Sequence, residues 1–171
     1  MGSDEPSPDA ILIQASIVWG IVLSAADPSR VREFLMESCK GLLDRDDSDR
    51  VAMASHELME NVLKYSDGAM SSFELTLSRR ADAGHVFIRT RNGATSERRR
   101  DAETRIGSIG RAVDPATVYD ELVATSPARS GSGLGLARIR AEADMTVRCV
   151  SDDLALTIIA EGRVSLRSGS C

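Results

Sequence analysis

The stretch Ser55-His-Glu-Leu-Met-Glu-Asn-Val-Leu-Lys-Tyr65 decides the fold. It closes a helix predicted from about Ser48 to Tyr65, in which Val51, Ala54, Ser55, Leu58, Val62 and Tyr65 recur at three- and four-residue steps and form one stripe. Beside that stripe Glu57 and Asn61 stand four apart, so their side chains lie one above the other, and Lys64 follows on nearly the same face. A carboxylate, a carboxamide and an ammonium aligned in this way can hold Mg²⁺ through oxygen and meet a phosphate with the cation. Such a triplet alone is more often a solvated helix face with a favourable Glu/Lys pattern. Asn61 argues against that reading, because asparagine is a poor helix former and nothing local recommends it so deep in a helix.

A second chemical segment lies C-terminal to it. Ser130-Gly-Ser-Gly-Leu-Gly-Leu136 is a glycine-rich loop entering a helix. Glycines at alternate positions, Gly131, Gly133 and Gly135, let backbone approach a ligand closely, and the helix start offers free N–H groups and positive partial charge. This is phosphate-cradle chemistry. The loop matches neither the Walker pattern nor the dinucleotide fingerprint, and the segment before it is not a strand. By itself it is equally a tight connection.

Working outward, the polar run 1–9 with Pro6 and Pro8 reads as a disordered lead-in. Ala10 to Ala26 is apolar and β-branched, but Gln14 and Gly20 interrupt it and no basic cluster flanks it, so it makes a poor membrane helix and a poor signal peptide. Two short strands meeting at Gly20 are expected there. Asp27-Pro28-Ser29 opens a helix paced by Val31, Phe34, Leu35, Cys39 and Leu42. After the Ser48–Tyr65 helix, Phe73 to Leu77 and His85 to Thr90 alternate as an antiparallel hairpin. Ser96 to Ala112 and Asp114 to Ala124 read as helices, and a further helix runs from Leu134 to Ala143. The strands Thr146 to Val150 and Leu154 to Ala160 close the fold, with a loose tail after Gly162. The expected architecture is α+β, a two-layer sandwich with helices gathered on one face of a mostly antiparallel sheet. Its domain would span 10–162, with a flexible C-terminal tail over 163–171.

Composition sets the outer limits. With 171 residues, one globular domain is the default, and 42% hydrophobic with 27% charged residues excludes a collagen-like, coiled-coil or wholly disordered chain. Only 4% of residues are aromatic and the net charge is −5, which disfavours stacking on single strands and a phosphate backbone as main partner. Cys39, Cys149 and Cys171 lack metal-ligand spacing and fit a reducing cytosol better than a disulfide scaffold. A soluble, cytoplasmic protein is expected.

Taken together, His-Glu-Leu-x-x-Asn-x-x-Lys-Tyr followed by Gly-x-Gly-Leu-Gly-Leu resembles the GHKL (Bergerat-fold) ATP-binding superfamily, from about Asp27 to Gly162. The first segment is similar to its N box and the second to its G2 box. The run Gly133 to Met145 with its following hairpin is particularly similar to stand-alone bacterial serine/threonine kinases of the SiaB and anti-sigma-factor type, histidine-kinase-like domains that phosphorylate STAS-domain antagonist proteins. The resemblance implies ATP and Mg²⁺ as cofactors. It implies that Glu57 polarises the attacking hydroxyl or water, that Asn61 ligates Mg²⁺ and that Lys64 contacts phosphate. Gly131, Gly133, Leu134 and Gly135 would close lid backbone on the β- and γ-phosphates, with Arg129 beside them. It also implies a STAS-domain partner and a PP2C-type phosphatase in the same pathway, no nucleic acid and no membrane; a homodimer is compatible with it. Phosphoryl transfer needs mainly positioning and charge neutralisation, so this short set is chemically sufficient.

One box departs from the superfamily. Where Asp-x-Gly-x-Gly normally places its Asp on the adenine amino group, this chain reads Arg89-Thr-Arg-Asn-Gly-Ala-Thr95. Arg91 or Asn92 takes that place and Gly93 alone remains of the two glycines. Asn92 can offer a carboxamide oxygen to an adenine N6–H, which an arginine cannot. SiaB-type sequences are similar in carrying Asn there. The departure motivates an alternative: a catalytically degenerate GHKL-fold binding module that regulates its partner by contact. Three other features read as structural. His56 is expected to be a packed or surface histidine, Glu97-Arg-Arg-Arg-Asp101 a solvated helix start, and Met53, Met59 and Met70 core filler.

Overall fold

The computed structural model describes residues 10–19, 27–66, 71–80, 83–125 and 133–167. The order is strand β1 (Ala10–Trp19), helices α1 (Asp27–Cys39) and α2 (Arg45–Tyr65), strands β2 (Ser71–Arg80) and β3 (Ala83–Gly93), helices α3 (Ser96–Gly110), α4 (Pro115–Thr125) and α5 (Leu134–Glu142), then strands β4 (Thr146–Ser151) and β5 (Ala155–Val164). The strands form one sheet in the order β1-β2-β3-β5-β4, every neighbour antiparallel. This is the expected α+β architecture. The lead-in 1–9 and the second N-terminal strand expected beyond Gly20 lie outside the described residues.

Alternation in β2 sends Phe73, Leu75 and Leu77 inward, and β3 adds Val86 and Ile88. Against them α2 lays Leu58 and Met59, both at 0% exposure, with Val62 one turn on. Leu35 and Cys39 of α1 and Leu136 and Ile139 of α5 join the same core. Burial pushes the Cys39 thiol up to about 11, so it is an inert core residue.

Helix α2 begins three residues before its expected start. Asp44 caps it by accepting the Asp47 N–H at 2.8 Å, and Asp46 and Asp47 complement the positive end of the helix while Lys64 complements the other. The acidic run therefore starts the helix. Asp47 is 5% exposed because its carboxylate is fully engaged: Oδ1 accepts Arg50 Nη1 at 2.5 Å and Oδ2 accepts the Ser165 N–H at 2.7 Å. Arg50 also donates to the Ala143 carbonyl from Nε at 2.9 Å and Nη2 at 2.5 Å, tying α2 to the end of α5.

The C-terminal boundary is corrected. Strand β5 continues to Val164 because β3 pairs with it from Gly93↔Ala155 to Gly84↔Val164. Beyond it, Leu166 bridges Leu43 and the Arg167 N–H donates to the Leu42 carbonyl at 2.8 Å. The tail expected over 163–171 is thus tied down through Arg167, and 168–171 lie outside the described residues.

At one end of the two layers, the last turns of α2, the end of β3, the start of β5 and the start of α5 come together. Replacing Leu58 by Ala should cost about 2–5 kcal/mol in chemical denaturation, because the cavity forms where helix meets sheet. Leu154→Ala, at a position 79% exposed, should stay within about 0.5 kcal/mol of the parent.

Candidate functional site

That end of the molecule holds a cavity of about 290 Å³, at the small end of the range for small-molecule sites. Asn61, Lys64 and Tyr65 enter it from α2, Asn92 and Ala94 from the end of β3, and Gly133 and Leu136 from the start of α5. Leu156 and Ile158 of β5 and Ile106 of α3 supply apolar wall. Three segments far apart in sequence, each singled out for chemistry, therefore meet on one cavity.

Asn61 is the most informative of them. Its Nδ2 is buried without a hydrogen-bond partner, at the cavity wall and inside a helix whose backbone needs nothing from it. A buried amide without a partner costs about 1–3 kcal/mol, so a group that completes its bonding is favoured there. Lys64 lies one turn on and is held by Glu60, with Nζ to Oε2 at 2.7 Å. That contact lowers the Glu60 pKa and raises the Lys64 pKa from their ordinary values. His56 Nε2 approaches Glu60 Oε1 at 3.3 Å, so the half-buried histidine belongs to this surface cluster.

Asn92 is 3% exposed and donates Nδ2 to the Gly93 carbonyl at 3.0 Å. With the nitrogen engaged, Oδ1 is the atom left to accept from a ligand. Gly93 is buried in the ladder opposite Ala155 and does not line the cavity.

The glycine loop divides its work. Gly133 caps α5 at φ 75°, and a Cβ there would meet Arg105 Cδ at 2.6 Å. Left-handed backbone and close contact both demand glycine. Gly135 faces elsewhere: a Cβ would meet Glu57 Oε2 at 2.3 Å, so this glycine lets α5 pack directly on the Glu57 carboxylate. Leu134 is the first residue of α5 and lies outside the cavity wall. Arg129 and Gly131 lie outside the described residues.

Glu57 itself does not line the cavity. Its side chain is 16% exposed, and Oε1 accepts Arg138 Nη1 at 3.2 Å. Arg138 simultaneously donates Nε to Glu142 Oε2 at 2.8 Å, and the Glu142 bond, with Glu57 adding to it, raises the guanidinium pKa.

Helix α3 contributes residues that the sequence reading set aside. Arg98, Asp101, Ala102, Arg105 and Ile106 all line the cavity, at helical steps of three and four. Arg98 Nη1 donates to the Tyr65 carbonyl at 3.1 Å, satisfying the end of α2, and Arg99 Nη1 donates to the Ala94 carbonyl at 2.6 Å. The expected solvated helix start holds, since Glu97, Arg98, Arg100 and Asp101 are exposed, and Arg98 and Asp101 border the cavity as well. The three- and four-residue spacing was readable; the wall it faces was not. Among the described residues, Lys64, Arg98 and Arg105 against Asp101 make the lining net positive, three cations to one anion, in a chain of net charge −5. The described residues contain no group of three or more His, Cys, Asp or Glu able to cage a metal, so a cation here would rest on the Asn61 oxygen together with ligand and water oxygens, as Mg²⁺ does beside phosphates.

No family model and no curated protein matches the chain. Among solved structures, a chain of the crystal structure of the SiaB–SiaC complex from Pseudomonas aeruginosa shares the fold, with TM-score 0.61 and 14% identity over 89% of this chain and 89% of that one. The likeness establishes a SiaB-like fold.

Gly133→Ala should cost about 1–2 kcal/mol through its left-handed backbone. Gly135→Ala should stay within about 1 kcal/mol of the parent, since the helix gains about 0.5–1 kcal/mol from alanine while the Glu57 carboxylate swings aside. Urea denaturation of the two variants checks both.

Proposed function

We propose that this protein is a Mg·ATP-dependent serine/threonine protein kinase of the GHKL type that phosphorylates a STAS-domain partner in a bacterial regulatory switch. One observation carries the reading: Asn61, Lys64, Asn92 and Gly133 converge on a single cavity with net positive lining. The apolar wall of Ile106, Leu136, Leu156 and Ile158 suits a planar base. The Asn92 oxygen would accept from its amino group, and Lys64, Arg98 and Arg105 would neutralise phosphate. The Asn61 carboxamide, turned to offer oxygen, would hold Mg²⁺, which when bound supplies charge neutralisation at the transferring phosphoryl group. Glu57 would accept the proton of the partner's hydroxyl.

A protein partner is in keeping with the similar solved structure, which is that of a complex. No described helix is long and apolar enough to cross a membrane, in keeping with a cytoplasmic reading. A PP2C-type phosphatase would reverse the modification.

Mg·ATP at about 100 times its Kd should stabilise the fold by about 2.7 kcal/mol, read as a thermal shift that Asn61→Ala abolishes. Phosphate should pass to serine or threonine of a STAS protein, and Glu57→Gln should slow transfer by about 10²–10⁴-fold. Binding without transfer, indifferent to Glu57→Gln, would leave the second reading: a degenerate module acting by contact. That reading is favoured by the engagement of Glu57 with Arg138 outside the cavity. An absent nucleotide shift together with absent transfer would remove the kinase reading altogether.

A further inference from the structure

Arg138 stands where α5 and α2 exchange charge. Its guanidinium reaches Glu57 of α2 at 3.2 Å and Glu142 of its own helix at 2.8 Å. On its other side Oε2 lies against Gly135, where a Cβ would come within 2.3 Å. The carboxylate thus lies between a guanidinium and a glycine, both belonging to α5. From the next helix, Tyr119 adds to the cluster: burial first, then the nearby Glu142 carboxylate, raises its phenol pKa. Arg138, Glu142 and Gly135 of α5 and Tyr119 of α4 accordingly gather near the single Glu57 carboxylate of α2, which does not itself line the cavity.

We propose that Arg138 is a positioning residue: it orients the Glu57 carboxylate toward the hydroxyl to be phosphorylated, and links that orientation to the helix that begins at Gly133. The inference rests on the kinase reading above. In the step it serves, the partner's hydroxyl oxygen forms a bond to the γ-phosphorus while the bond from that phosphorus to the β,γ-bridging oxygen breaks. ADP departs with the electron pair, and the hydroxyl proton passes to Glu57. Arg138 gains and loses no proton. It remains a cation beside the carboxylate and fixes the direction of its lone pairs. Its planar fork can serve Glu57 and Glu142 together in a fixed geometry, which the single ammonium of lysine holds less well.

Arg138 is neither a stability clamp nor a nucleotide ligand. Its side chain is 41% exposed, so loss of its ion pairs should hardly change stability. It does not line the cavity, so nucleotide binding should survive its replacement.

The experiment compares the full chain with Arg138→Gln, Arg138→Lys, Glu57→Gln and the double variant, each assayed for Mg·ATP thermal shift and for steady-state transfer to a STAS-domain substrate. Arg138→Gln should keep its melting temperature, its ATP-induced shift and its KM for ATP within about 3-fold, while kcat falls by roughly 10²-fold. Arg138→Lys should recover part of kcat. On a Glu57→Gln background, Arg138→Gln should add almost nothing, since it acts through the missing carboxylate. Additive losses in the double variant, an unchanged kcat in Arg138→Gln, or loss confined to KM or to the ATP shift would each overturn the proposal. If the parent chain itself transfers no phosphate, the kinase reading fails first and the role of Arg138 falls with it. The two failures are distinguished by which protein is inactive.

Discussion

The rotation of α2 about its own axis is the constraint on which the rest of the molecule depends. Leu58, Met59 and Val62 are buried against the sheet, and Glu57, Asn61 and Lys64 are their sequence neighbours on the adjacent stripe. One residue is about 100° of helix, so placing Leu58 and Met59 in the core that Phe73 and Leu75 share leaves little freedom for where Glu57 and Asn61 can stand. The helix is also pinned along its length. Asp47 and Arg50 join its first turns to Ser165 and Ala143, and Arg98 joins its last carbonyl to α3. A shift of one residue would break both polar clamps and turn the apolar stripe off the core. The hydrophobic effect supplies the energy of that docking, and these hydrogen bonds supply its register.

The same constraint explains why the two described glycines of the Gly-Leu-Gly run are not equivalent. Helix α5 crosses α2 beside Glu57, so some residue of its first turn must yield space to a carboxylate; Gly135 does. Gly133 instead solves a backbone problem, turning the chain into the helix at positive φ under the Arg105 side chain. A sequence pattern of alternating glycines merges these tasks into one picture of backbone approaching phosphate. Packing separates them.

Element order and sheet class were legible because periodicity reports burial directly: β2 alternates and the α2 stripe repeats at three and four. The errors have physical causes. The α2 start expected near Ser48 falls short because the aspartates before it carry no apolar periodicity, yet Asp44 is a cap and Asp47 is buried against two donors. Glu161-Gly162-Arg163 lacks an apolar alternation, but cross-strand pairing with β3 carries the strand through it. Within the site, Asn61 was legible because it contradicts its local environment. Arg98, Asp101 and Arg105 were not, since a charged helix face looks the same whether it meets solvent or a polar cavity. Arg138 was invisible for a related reason: its value lies in Glu57, 81 residues away.

Electrostatics suits an uncharged amide at position 92. That position is 3% exposed, and an ionised carboxylate placed there would need compensating partners to offset its desolvation. The amide avoids this requirement. It satisfies its own donor on the Gly93 carbonyl, stays neutral, and keeps an oxygen for accepting a ligand N–H. Among the described residues of the cavity lining, Asp101 is the one anionic side chain, beside Lys64, Arg98 and Arg105. A neutral acceptor makes a weaker hydrogen bond to an amino group than a carboxylate does, while the positive lining favours an anionic ligand whatever its base. For the nucleotide proposed above, recognition would then rest more on the phosphates than on the base, and affinity would depend on salt and on the number of phosphate charges more than on the identity of the purine.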